Sequence, residues 1–161
     1  KTCFDISELI QHIMQNFEND FAKKNIALKF DGKTEVINAD KDKISQVVIN
    51  LLSNALKYTQ QGGEVQVTVK SASDTANALI EKSDAIEIIV KDTGIGIPTE
   101  DLPYIFERFY RSDKSRNRLT GGTGIGLTIT KTIVDAHKGK IQVKSKVDEG
   151  TEFIISLPRR Q

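Results

Sequence analysis

Apolar positions at helical spacing dominate residues 40–59, where Ile44, Val47, Val48, Leu51, Leu52 and Ala55 would share one face and turn it to a core. Asp40 stands where an N-cap belongs, and Gly62-Gly63 lie just past the end. Asn50 and Asn54 sit beside that face, about 40° from each other round the helix at its usual pitch. Lys57 and Tyr58 continue the same polar edge by one turn. Asn is a poor helix former because its amide competes for backbone hydrogen bonds. Two of them here need a reason: either neighbouring backbone satisfies both amides, or they line a wall facing a polar ligand.

Before this helix, Asp5 and Glu8 have capping-box spacing, and Leu9, Ile10, Ile13, Phe17 and Phe21 follow at helical intervals. They predict a first helix over about residues 7–24. Residues 26–30 and 35–39 read as short strands around an Asp31-Gly32 turn. After the helix, Val65, Val67 and Val69 alternate in a half-buried strand over 64–70, and 85–91 form another that ends at Asp92. Between them, residues 73–84 are polar and rich in small side chains, a surface loop of the kind that is often mobile, with no candidate chemistry. Thr99 as N-cap, with Glu100 and Asp101 in the first turn, predicts a further short helix. A longer helix opens at the glycines of 121–126 and runs to about His137, and residues 140–145 and 151–157 close the sheet as a hairpin.

Composition narrows the class. A chain of 161 residues, 38% hydrophobic and 28% charged, suits one soluble globular domain with a real core. A net charge of +1 gives no electrostatic case for nucleic acid. Cys3 is the single cysteine, so no internal disulfide is possible and a reducing cytoplasm is the simplest setting. The longest apolar runs, such as Ile88-Ile89-Val90, are far too short to cross a bilayer. The chain begins abruptly at Lys1, as an excised fragment would.

Three more stretches carry candidate chemistry. Asp92-Thr93-Gly94-Ile95-Gly96-Ile97-Pro98 places a carboxylate at a strand end, followed by glycines that let backbone approach a ligand closely. An ordinary glycine turn would look the same. An Asp-Thr-Gly aspartic protease would need two such carboxylates sharing a proton, hence a symmetric dimer, and the long helices do not suit it. Phe106-Glu107-Arg108-Phe109-Tyr110-Arg111, with Lys114, Arg116 and Arg118 beyond, is either a solvated loop or a cationic flap over phosphates. Gly121-Gly122-Thr123-Gly124-Ile125-Gly126-Leu127 would bring several N–H groups together at a helix N-terminus, where an anion binds well. Leu127 stands where a P-loop demands Lys, and a polar loop precedes the glycines where a Rossmann fold needs a strand.

Together these stretches resemble the N box, F box and two glycine boxes of the ATP-binding catalytic domain of sensor histidine kinases. That family, with the Bergerat fold, also includes heat-shock chaperone, mismatch-repair and type II topoisomerase ATPases. The resemblance extends from Phe4-Asp5-Ile6 to Leu157-Pro158, so the whole of 1–161 is expected to be one catalytic domain without its upstream phosphoacceptor domain. It implies an α/β (α+β) two-layer sandwich: a mixed, mostly antiparallel sheet on three main helices, with a flexible ATP lid over about 112–123. Asn50-Leu51-Leu52-Ser53-Asn54 and the Phe106–Arg111 stretch point to the kinase branch.

By this resemblance Asn54 would coordinate Mg²⁺ through its amide oxygen, and Asp92 would accept from the exocyclic amine of adenine. Gly94 and Gly96 would keep the base pocket open, with Ile97 beside them. Lys57, Tyr58 and Arg111 would line the phosphate side. Gly122, Gly124 and Gly126 would hinge the lid and supply phosphate-binding amides, with Thr123, Ile125 and Leu127 in the same nucleotide-binding set. Asn50, Asn54, Lys57 and Arg111 are the expected catalytic group. The chaperone-like ATPases have Glu at the position of Asn50 to activate water, and an amide cannot take that proton. ATP would therefore be held for a histidine on a dimerisation domain of the same kinase, in a homodimeric, membrane-anchored parent that relays the phosphoryl group to a response regulator receiver domain. The isolated domain would be monomeric and cytoplasmic. A serine-directed anti-sigma kinase shares the pocket, but the F-box-like stretch and the Lys57-Tyr58-Thr59 ending count against it; a nucleotide-binding regulator without kinase output would look the same. His12, between Gln11 and Ile13, and His137, before Lys138-Gly139, lack the acid neighbour of a phosphoacceptor and read as structural. Two departures from the family pattern fall in turns: Asp148-Glu149 before Gly150, expected to be remote from the chemistry, and Lys138, each where a glycine is common.

Overall fold

The computed structural model describes residues 1–74, 84–107 and 126–160. In chain order these form β1 (Thr2–Asp5), α1 (Ile6–Lys23), β2 (Ala27–Gly32), β3 (Val36–Ala39), α2 (Lys41–Tyr58), β4 (Glu64–Ser71), β5 (Ala85–Asp92), α3 (Gly126–Ala136), β6 (Lys140–Lys146) and β7 (Gly150–Pro158). Five strands make one sheet in the order β2-β4-β5-β7-β6, in which β2 runs parallel to β4 and every other pair is antiparallel. The mixed, mostly antiparallel sheet on three helices is the expected sandwich.

Alternation sets the inner face. Val65, Val67 and Val69 of β4, Ile86, Ile88 and Val90 of β5, and Phe153, Ile155 and Leu157 of β7 are buried in one core with the apolar faces of all three helices. The register puts Val67 opposite Val90 and Val90 opposite Phe153, so the side chains form rows across the sheet. In α2 the six apolar residues named from the sequence are the buried ones, and the Asp40 side chain accepts from Lys43 N–H at 3.2 Å as its N-cap. Asp5 caps α1 by accepting from Ser7 N–H at 3.0 Å.

His137, just past α3, ties that helix to α2. Its buried ring donates from Nδ1 to Ile133 C=O at 2.8 Å and accepts at Nε2 from Asp40 N–H at 3.2 Å. That is a structural role, as the sequence indicated. His137→Phe keeps an aromatic ring but strands the Asp40 N–H, so thermal unfolding should show a loss of about 1–3 kcal/mol. An unchanged melting temperature would refute this role.

Two local expectations change. Residues 26–30 and 35–39 do not pair around Asp31-Gly32: β2 extends through that dipeptide and pairs with β4, while β3 pairs with β1 in a separate antiparallel ribbon. The helix expected from Thr99 is a 3₁₀ turn, Leu102–Tyr104, with Asp101 before it and no side-chain cap bond. Pro103 has no N–H for an α-helical bond, and the segment closes i→i−3 bonds instead, Leu102 N–H to Thr99 C=O and Tyr104 N–H to Asp101 C=O. Lys138 adopts a φ of 56°, the left-handed region that a glycine there would enter without strain. Most of the surface loop of 73–84, the basic stretch from Arg108 to Arg111 and the lid, with Gly122, Thr123, Gly124 and Ile125, lie outside the described residues.

Candidate nucleotide-binding site

The strand β5 delivers Asp92 to the end of the sheet nearest the C-terminus of α2. Its carboxylate is 6% exposed, and Oδ1 accepts from Gly94 N–H at 2.8 Å and Thr151 N–H at 3.2 Å. Among the described residues Oδ2 has no hydrogen-bond partner, which leaves it for a donor on a ligand. Burial pushes the Asp92 carboxyl above its ordinary value, and the two backbone N–H bonds offset only part of that rise.

The loop after Asp92 is pressed between two carbonyls. Ile95 N–H donates to Tyr58 C=O at 3.1 Å, and a Cβ on Gly94 would lie 2.3 Å from that same oxygen. Gly96 has a φ of 73°, and a Cβ there would lie 2.1 Å from Lys146 C=O. Both positions therefore need glycine for contact with the protein's own backbone, before any ligand is considered. Ile97 is half-buried against the core.

Across from this loop runs the polar edge of α2. Asn50 Nδ2 lies 3.3 Å from Gly126 C=O and 3.4 Å from Thr130 Oγ1, both in α3. Its amide nitrogen is thus used by protein, and it ties the polar edge to the first turn of α3. Asn54 is half-buried and makes no hydrogen bond among the described residues, so its amide remains for something else. The two asparagines divide the alternatives between them. Lys57 is exposed and Tyr58 half-buried on the same edge. Gly126 is exposed at the start of α3, where a Cβ would meet only Asn50 Cγ at 4.0 Å, and Leu127 packs against the core.

Two features of the site escaped the sequence. Lys24, just after α1, donates from Nζ to Leu56 C=O at 2.7 Å and Lys57 C=O at 3.1 Å, capping the turn that presents Lys57 and Tyr58. The β6–β7 turn is not remote from the chemistry. Asp148 N–H donates to Ile95 C=O at 2.8 Å, Ile97 N–H donates to Ser145 Oγ at 2.7 Å, and Thr151 holds Asp92. Strand pairing between β5 and β7 brings the turn there, with Asp92 opposite Thr151.

The model of the family described as "Histidine kinase-, DNA gyrase B-, and HSP90-like ATPase" matches residues 39–161. The sensor histidine kinase WalK of Bacillus subtilis is 43% identical over 125 residues, 78% of this chain and 19% of that protein, so the chain spans about a fifth of that relative. The structure of the catalytic domain of histidine kinase ThkA superposes with a TM-score of 0.81 at 30% identity, covering 99% of this chain and 98% of that one. ThkA in complex with the response regulator protein TrrA matches with a TM-score of 0.76 at 29% identity, over 98% of this chain and 41% of that one. With Asp92, the glycine loop and the asparagine edge on one side of this fold, the chain belongs to the histidine kinase-, DNA gyrase B- and HSP90-like ATPase family, as an ATP-binding catalytic domain of the sensor histidine kinase kind.

Proposed function

We propose that this domain holds Mg-ATP between α2, α3 and the Asp92–Ile97 loop and presents the γ-phosphoryl group to a histidine on the dimerisation domain of its parent kinase. The observation that carries this is the Asp92 carboxylate: buried, fixed through Oδ1 and with Oδ2 available to the exocyclic amine of adenine. Lys57 and Tyr58 serve the phosphate side, as do Arg111, Gly122, Thr123, Gly124, Ile125, Gly126 and Leu127 by family resemblance. Asn50, at the position where the chaperone-like ATPases have Glu, cannot take a proton from water, which suits transfer to a protein nucleophile over hydrolysis. The parent is a homodimer anchored in a membrane with this domain in the cytoplasm; among the described residues no helix is long and apolar enough to cross a bilayer. The relayed phosphoryl group goes to a receiver domain, in keeping with the response regulator bound to ThkA.

The residues present fit a magnesium ion. No group of three His, Cys, Asp or Glu among the described residues could hold a metal, whereas Asn54 offers one uncommitted amide oxygen on the polar edge. Mg²⁺ keeps several waters and takes phosphate oxygens, so a single protein ligand suffices. When bound it neutralises charge developing on the phosphates; Asn54 orients it, and the backbone and α2 hold the nucleotide. Asn54→Ala should lower Mg-dependent ATP affinity at least about tenfold, or roughly 1.4 kcal/mol, with the fold intact because the side chain borders the core. Calorimetric titrations with and without Mg²⁺ test this, and an unchanged magnesium dependence would remove Asn54 from the metal site.

A further inference from the structure

Ser145 joins more of the site than any residue named from the sequence. It lies in β6 opposite Thr151 of β7. Its Oγ is 2.7 Å from Ile97 N, 2.9 Å from Gly150 O and 2.8 Å from Thr151 Oγ1. The donors follow from chemistry. The Ile97 amide can only donate and the Gly150 carbonyl can only accept, so the serine proton points to Gly150 and the Thr151 hydroxyl donates to Ser145. One donor and two acceptor places are then filled, and the hydroxyl is saturated by protein. It is not placed to bind a ligand. What it does is connect.

One connection is Ile97, at the far end of the loop that Asp92 begins. The other is Thr151, whose backbone N–H reaches Asp92 Oδ1 at 3.2 Å. The second bond to Oδ1 comes from Gly94, inside the same loop, and travels with it. The Thr151 bond is therefore the one that ties the carboxylate to the neighbouring strand, β7, outside the loop. We infer that Ser145 is a positioning residue for base selection: its hydroxyl fixes the Asp92–Ile97 loop against the β6–β7 hairpin and, through Thr151, aims the Asp92 carboxylate. This rests on the reading that Asp92 selects adenine. Ser145→Ala takes one partner each from the Ile97 N–H, the Gly150 C=O and the Thr151 hydroxyl in a half-buried place, and the Ile97 end of the loop loses its bond to the hairpin while Asp148 still holds Ile95.

The test measures ATP and GTP dissociation constants of the whole domain with Mg²⁺ for four variants. Ser145→Ala should weaken ATP on the order of tenfold, the scale of one buried hydrogen bond, and narrow the preference for ATP over GTP. Ser145→Thr, which keeps the hydroxyl, should restore the preference. Ile141→Val, in the same strand but only packed against the core, should lower stability and leave the preference alone. Asp92→Asn separates the two readings. If it loses the preference while Ser145→Ala keeps it, the positioning role is wrong; if Asp92→Asn itself keeps the preference, base selection by Asp92 is wrong and this inference falls with it. Should Ser145→Ala fail to fold, Ser145→Cys makes the same comparison, since its thiol keeps the volume with far weaker hydrogen bonding.

Discussion

Asp92→Asn should weaken ATP binding by about ten- to a hundredfold, the range expected when a buried charged acceptor is exchanged for a mismatched donor. The substitution is nearly isosteric, and Asn Oδ1 can still accept from Gly94 and Thr151. What changes is the atom left over. An amide nitrogen replaces Oδ2 and meets the exocyclic amine of adenine donor to donor. Guanine carries a carbonyl oxygen at that position, so GTP should lose less than ATP, or gain. Calorimetry with both nucleotides gives the answer, and equal competition by ATP and GTP in the unsubstituted domain would already show that Asp92 does not read the base.

The same residue makes stability and binding move in opposite directions. Its raised pKa means that the folded state holds the proton more tightly than the unfolded chain. The burial penalty on the charged form is present in full above the folded pKa and is relieved as pH falls towards the ordinary 3.8. Through Asp92, then, the nucleotide-free domain gains stability on acidification across that window, while ATP affinity falls because a protonated carboxyl offers a donor. In Asp92→Asn the melting temperature should not drop and this part of the pH dependence should vanish. A variant that loses ATP because it loses the fold would show the reverse.

What could be read from residues alone follows the range of the interactions. The helix α2 carries its period, its N-cap and its polar edge within one stretch, and all three appear where the sequence put them. The strand β4 alternates over its 8 residues and β5 is a mostly apolar run of the same length, and both were equally plain. β1 and β3 have 4 residues each and pair with each other across α1, so neither has a local pattern strong enough to show its partner. The glycines of the Asp92 loop were visible, but their reason was not: Gly94 and Gly96 abut carbonyls of Tyr58 and Lys146, one on a helix and one on a distant strand. Ser145 gave no signal at all, since a serine in an alternating strand is unremarkable until folding places Ile97 and Thr151 against it. Asn50 did stand out in the sequence, but its partners Gly126 and Thr130, which come from a helix far along the chain, did not.

Incubated alone with γ-labelled ATP and Mg²⁺, this domain should acquire almost no covalent label. Of its two histidines, His137 is buried with both ring nitrogens engaged, by Ile133 C=O and Asp40 N–H, and cannot reach a phosphoryl donor. His12 is exposed on α1 but is flanked by Gln11 and Ile13, with no adjacent acid to act as base. Free phosphate should also appear slowly. A water molecule between ATP and α2 would need a base, and Asn50 offers an amide whose nitrogen is bonded to Gly126 and Thr130. On the function proposed above, the same mixture supplied with the parent's dimerisation domain should place label on that domain's histidine. Separating the two domains removes the effective concentration that a linker provides, commonly in the millimolar range for a short one, so transfer should be slower than in the joined protein. The bond formed is a phosphoramidate, with the histidine nitrogen replacing the β-phosphate oxygen on phosphorus and ADP leaving, and it should be lost in acid while surviving in base. Acid-stable label on the acceptor would instead indicate a serine ester and an anti-sigma type of kinase. Rapid phosphate release by the isolated domain would show that water, not a protein side chain, is its natural acceptor.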